Sequence, residues 1–98
     1  MIPQQIEKPD YNEEYRICDF SARLSSDETV LACSALIYDD GGNDVSSSML
    51  AEVTQSFDSK GVHYKLKGGT SLKRYALKIR ITTTRNQKFE EPFTVCIL

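Results

Sequence analysis

The side chains able to do chemistry are few and scattered along the chain. His63 is the only histidine, and it alternates with Val62 and Tyr64 and shares its outward parity with Lys65 and Lys67. A general base needs an orienting carboxylate and a nucleophile within reach, and zinc needs three or four ligands. The residues around His63 nominate neither, so it reads as an outward strand histidine. Cys18, Cys33 and Cys96 are spaced 15 and 63 residues apart, with no Cys-x-x-Cys. An odd count at these spacings argues against both a disulfide scaffold and a zinc site. Each reads as a small hydrophobe, Cys33 on the inner face of a strand. A Cys18–Cys96 bridge is left open at this level.

Asp39, Asp40, Asn43 and Asp44 superficially resemble a calcium loop. Counted from Asp39, however, the sixth position is Asp44 and the twelfth is Leu50, where an EF-hand needs glycine and glutamate. A polar turn is the simpler reading. Gly68-Gly69-Thr70-Ser71 lacks the frame of a phosphate loop and lies between strand patterns, with no helix to supply a dipole. The pairs Glu13-Glu14 and Glu90-Glu91 are adjacent in sequence. On a strand, neighbours point to opposite faces, so neither pair is an acid/base couple. No catalytic, cofactor-binding or metal-ligating residue and no small-molecule substrate is expected; the protein is expected not to be an enzyme.

The elements that carry these residues must fit in 98 residues, enough for one domain. A hydrophobic share of 40% with 27% charged residues is ordinary for a globular protein. No apolar run approaches a membrane span, and residues 1–10 lack the layout of a signal peptide, so no membrane partner is expected. Residues 1–12 are polar, with Pro3 and Pro9, and read as a flexible N-terminal arm or extended lead-in. Residues 13–98 form the domain.

That domain reads as strands. Tyr15–Leu24 is extended, with Tyr15 and Ile17 on one face and Cys18 and Phe20 on the other. Glu28–Tyr38 places Leu31, Cys33, Ala35 and Ile37 on an inner face. Val62, Tyr64 and Leu66 alternate with His63, Lys65 and Lys67. Tyr75, Leu77, Ile79 and Ile81 alternate with Ala76, Lys78, Arg80 and Thr82. A short polar loop, Arg85-Asn86-Gln87, then leads to Phe89, Phe93, Val95 and Ile97. Pro92 suggests that this last strand bends or starts properly only at Phe93. Residues 45–52 read equally as a helical turn after Ser46 or as a strand. About seven short strands between turn clusters predict an all-β, immunoglobulin-like antiparallel β-sandwich. Leu31, Ile37, Leu66, Tyr75, Ile79 and Val95 are its expected core. The Tyr75 ring should pack inside, with its hydroxyl bonded to backbone near a sandwich corner.

The net charge of −2 hides an asymmetry. Residues 1–58 carry three basic and twelve acidic side chains; residues 59–98 carry nine basic and two acidic. The simplest reading has acidic and basic strands neutralising each other within a sheet. The alternative is two oppositely charged surfaces that mate copies of the chain or bind a partner. Lys65, Lys67, Lys78 and Arg80 would then form a cationic protein-binding face. An isoelectric point near 5.3 argues against nucleic acid as the partner.

A set of short motifs fits one family. Lys8-Pro9 precedes Asp19-Phe20-Ser21-Ala22-Arg23-Leu24 and Asp27-Glu28-Thr29-Val30. Leu66-Lys67-Gly68-Gly69-Thr70 is followed by Tyr75 and by Ile81-Thr82-Thr83-Thr84, then by Phe89 and Phe93. With these the chain resembles small immunoglobulin-like virion proteins of tailed phages and prophages, of the fiber–tail adaptor kind. It departs from them in Phe20 where tryptophan is usual, in Arg85-Asn86-Gln87 where a glycine turn is usual, and in Pro92. The resemblance implies a non-enzymatic structural or assembly protein of the virion, assembled in the host cytoplasm. Its partners would be other virion structural proteins and copies of itself, with no cofactor. The competing reading is a stand-alone immunoglobulin-like adhesion or carbohydrate-binding module. That would need exposed aromatics, for which Tyr11, Phe20 and Tyr38 are the candidates.

Overall fold

The computed structural model describes residues 4–50 and 56–98. Among them the strands are β1 (Gln4–Lys8), β2 (Glu14–Asp19), β3 (Val30–Tyr38), β4 (Ser56–Phe57), β5 (Gly61–Leu66), β6 (Arg74–Thr83) and β7 (Lys88–Ile97). A four-residue helix, α1 (Ser46–Met49), and a 3-10 turn at Ser21–Arg23 complete the regular structure. The strands form a four-stranded first sheet, β1-β7-β6-β3, and a three-stranded second sheet, β2-β5-β4. Their inner faces share one core. Ile37, Leu77, Ile79 and Val95 of the first sheet and Val62 and Leu66 of the second are all fully buried in it.

Alternation explains most of this arrangement. In β6, Tyr75, Leu77, Ile79 and Ile81 are buried and the residues between them are not; β5 does the same with Val62, Tyr64 and Leu66. Each such side chain contributes about 1.5–3 kcal/mol when removed from water. The hairpin from β6 to β7 closes on Asn86, which adopts a positive φ of 59°, while Thr83 N–H bonds Gln87 O at 2.9 Å. Asparagine tolerates that conformation better than most side chains.

Leu31, expected in the core, is 57% exposed instead. The ladder between β3 and β6 slips between Val30 and Ala32, and such a bulge flips the facing of everything before it. Val30 is therefore buried, while Cys33, Ala35 and Ile37 keep the inner face. Pro92 does not delay β7, which runs unbroken from Lys88 and pairs Pro92 with Lys78. Among the described residues the ladder to β1 runs from Phe93.

Part of the expected arm or extended lead-in is strand. From Gln4 to Lys8 the chain is strand β1, laid parallel to β7 with Ile6 beside Val95, so the first sheet is mixed rather than purely antiparallel. Two residues hold it there. Ile6 is buried in the core. Lys8, with no exposed surface, donates through Nζ to the carbonyls of Pro9 and Asn12, both at 2.8 Å, and of Asp10 at 3.5 Å. Burial holds this ammonium below its usual pKa despite Glu14, Asp10 and Glu13 nearby.

The stretch after β5 is a crossing between sheets and not a hairpin. Gly68 and Gly69 take φ values of 64° and 91° there. The Tyr75 hydroxyl accepts the Thr70 N–H at 3.0 Å, locking the corner through which the chain enters β6. The open reading of residues 45–52 resolves to a helical turn at 46–49, begun where Asp44 Oδ1 accepts the Ser46 N–H at 2.9 Å. Residues 51–52 lie outside the described set.

Candidate functional site

The four cations singled out from the sequence do not form one face. β5 and β6 lie in different sheets, and their inward residues meet across the core. Outward residues of the two strands therefore stand on opposite sides of the molecule. Lys65 lies on the outer face of the second sheet, and Lys67 lies just past the end of β5. Lys78 and Arg80 lie on the outer face of the first. Alternation marked each residue as outward; it carried no information on which sheet each strand joins.

Neighbours meet only part of the charge asymmetry. Arg80 pairs with Glu90 across the hairpin at 2.7 Å and Arg23 with Glu91 at 2.6 Å. Arg85 meets Asp27 at 3.0 Å and Lys65 meets Glu13 at 3.6 Å. These exposed pairs contribute little each, at most about 1 kcal/mol. Lys78 instead sits 5.7 Å from the centre of the Tyr38 ring, and Lys65 lies 4.9 Å from that of Tyr15. Both are cation–π distances.

Several polar side chains make local hydrogen bonds. His63 Nε2 lies 2.9 Å from Asp58 Oδ2. The same Asp58 accepts the N–H groups of Lys60 and Gly61 through Oδ1. The His63 bond, followed by these two, holds its carboxyl below the usual range. Asp39 accepts from the N–H groups of Asn43 and Gly41 and so organises its own turn. Cys18 is buried, which pushes its thiol up to about 12, and desolvation also raises Cys33. Cys18 and Cys96 form no bridge. Cys18 faces the core from the second sheet, and Cys96 sits opposite Arg74 on the outer face of the first. Among the described residues no group of three or more His, Cys, Asp or Glu could hold a metal ion, and no helix is long and apolar enough to cross a membrane.

Two surface features went unread in the sequence. A groove of about 570 Å³ crosses the outer face of the first sheet, lined by Ala32, Ser34, Arg80, Thr82, Lys88 and Glu90. On the second sheet, β2 leaves Tyr15 73% and Ile17 64% exposed. Their shared parity was visible in the chain; which sheet face they occupy, and that Lys65 alone lies over Tyr15 among the described residues, was not. Of the aromatics reckoned free to be exposed, Tyr11 is exposed, Tyr38 is half-buried under Lys78, and Phe20 is buried in the core. Phe20 turns inward because its N–H bonds Lys60 O at 2.9 Å at the start of the 3-10 turn.

Glu28 is a further buried charge that the sequence did not flag. It accepts from the Thr83 hydroxyl and the Ser25 N–H, the first chiefly holding its carboxyl below the usual range. It ties the loop before β3 to the end of β6.

Comparison with known proteins identifies one family. A family model described as Podophage GP4 fiber-tail adaptor protein gp77 matches residues 8–96, from the buried lysine that ends β1 almost to the end of β7. The search of curated proteins gave no match.

Proposed function

Because the chain belongs to this podophage fiber–tail adaptor family, we propose that it is a non-enzymatic structural part of a tailed-phage virion. It links other virion proteins through protein–protein contacts and joins the particle during assembly in the host cytoplasm. The family match over residues 8–96 carries this reading. The fold agrees with it: a thin two-sheet body offers two outer faces and exposed strand edges. Function then resides in surfaces that meet neighbours.

We further propose that the fold is immunoglobulin-like. The order β2-β5-β4 against β7-β6-β3 supports this, as does a tyrosine at the start of β6 whose hydroxyl ties back to the corner before it. The contact residues proposed on the outer faces are Lys78 and Arg80 on one side and Lys65 and Lys67 on the other.

The test is to label this protein in purified particles and locate it by electron microscopy. Label at the fiber–tail junction is the expected result; label elsewhere, or none, overturns the adaptor reading. Replacing Lys78 and Arg80, and separately Lys65 and Lys67, with serine should weaken incorporation into particles. Unchanged assembly with both pairs replaced removes the cations from the contact surface.

A further inference from the structure

We propose that copies of this chain associate head to tail: the acidic edge formed by β2 and its lead-in docks on the cationic outer face of the first sheet of the next copy. This deepens the adaptor reading, on which it rests, by naming one partner as a second copy of this chain.

The first half of the contact is residues 10–19. They carry Asp10, Glu13, Glu14 and Asp19 against Arg16, which pairs with Glu14, and Lys65 of the neighbouring strand, which meets Glu13 and the Tyr15 ring; the edge keeps a net negative charge. Within the same ten residues Tyr11, Tyr15 and Ile17 are 92%, 73% and 64% exposed. Tyr15 and Ile17 are two apart on one strand, so they project on the same side about 7 Å from each other. Among the described residues β2 is an edge of its sheet. Clustered exposed apolar side chains rimmed by charge mark an interaction site.

The second half is the outer face of the first sheet. Arg74, Lys78, Arg80 and Lys88 lie there against Glu7 and Glu90. Between the cations are Leu36 and Pro92, directly across from Lys78 on either side, with Ala32 and Ser34 beside the groove. The face thus combines positive charge with small and apolar side chains, the complement of an acidic edge bearing Tyr15 and Ile17.

Charge also selects the mode. Pairing two first-sheet faces would set Arg74, Lys78 and Arg80 against their own copies, and pairing two β2 edges would oppose the acids. A two-fold contact through either surface is disfavoured, while the heterologous contact leaves a free face and a free edge at the ends, able to propagate. β1 has five residues and β3, β6 and β7 nine or ten; at about 3.3 Å per residue and about 4.8 Å per strand the face is roughly 540 Å², below the approximately 800 Å² per partner of a stable complex. The association is therefore weak alone and sensitive to salt.

Sedimentation equilibrium on the purified chain tests this with two variants. One carries Tyr15→Thr and Ile17→Thr, which keep strand propensity; the other carries Lys78→Glu and Arg80→Glu. Wild type is expected to rise in average mass with concentration up to about 1 mM and to fall back toward monomer between about 20 mM and about 500 mM salt. Each variant alone should stay monomeric. An equimolar mixture of the two should form a dimer and stop there, because each retains the surface the other lacks. Monomeric wild type at the highest concentration, self-association of either variant like wild type, or a mixture that stays monomeric overturns the proposal. Wild type that stays monomeric while the labelled protein is still found at the fiber–tail junction defeats this contact alone and leaves the adaptor reading standing.

Discussion

Replacing Lys8 with methionine removes an ammonium that organises the start of the domain, while the stem that fills its space is kept. Two hydrogen bonds at 2.8 Å, to the carbonyls of Pro9 and Asn12, are lost, along with a marginal third at 3.5 Å. Bonds from a charged donor contribute about 1.5–3 kcal/mol each. That figure is already net of taking the donor out of water, so the two bonds together contribute about 3–6 kcal/mol. Part of that is recovered as water reaches the abandoned carbonyls. The net loss is about 2–3 kcal/mol, which in a domain of this size lowers the melting temperature by about 10–20 °C. Urea unfolding at neutral pH should show the loss as a lower midpoint with an unchanged slope. The Asn12 amide, bonded to Pro9 O at 3.2 Å, should exchange with solvent faster than the amides of β6. A loss below about 0.5 kcal/mol would refute the reasoning, since water would then satisfy those carbonyls as well as the ammonium does.

Tyr75→Phe keeps the buried ring and deletes the bond from Thr70 N–H, so it should cost about 1–1.5 kcal/mol, measured by thermal melting. Gly69→Ala combines a φ of 91° with a new Cβ only 2.7 Å from two side-chain carbons of Ile97 and 3.0 Å from Met49 Cε; a loss of about 2–4 kcal/mol is expected. Gly42→Ala, at φ 82° but with nothing within 4 Å, should cost only about 1–2 kcal/mol, so equal losses would discount the Ile97 clash. In acid, Glu14, Asp19, Glu28, Asp39, Asp44 and Asp58 all have folded pKa values below their ordinary ones of 3.8 or 4.5. The unfolded chain therefore binds more protons in that range, and the stability these groups contribute is present above it and lost as pH falls through the folded values. Melting temperatures measured from neutral pH downward should hold until about pH 4.5 and then drop, less steeply in Asp58→Asn.

The strands of the second half were legible because their period-two pattern is clean. In β5, β6 and β7 each inward residue named from the sequence faces the core, and the Tyr75 corner follows from a buried ring that needs a partner for its hydroxyl. Leu31 was misplaced because a bulge shifts facing without changing composition. Residues 4–8 gave too short a pattern to compete with their polarity, and their stability comes from β7, far along the chain. Lys8 and Glu28 reverse the usual rule for charged residues. Their burial depends on loop carbonyls in one case and a distant hydroxyl in the other, neither visible as a local motif. The cationic face failed for a topological reason: consecutive strands β5 and β6 belong to different sheets, and alternation alone does not distinguish a hairpin from a crossing.

The parallel pairing of β1 with β7 also sets how the molecule carries tension. Gln4 lies beside Phe93 and Lys8 beside Ile97, so the chain leaves the ladder in opposite directions at its two ends. A pull between those ends slides β1 along β7 instead of peeling it away. All the bonds of the five-residue ladder are then loaded together, joined by the Leu98 N–H to Lys8 O bond at 2.9 Å. Because forced unfolding is governed by the rate of opening, a ladder strained in shear outlasts one that unzips a bond at a time, and the β1–β7 seam becomes the mechanical fuse of the protein.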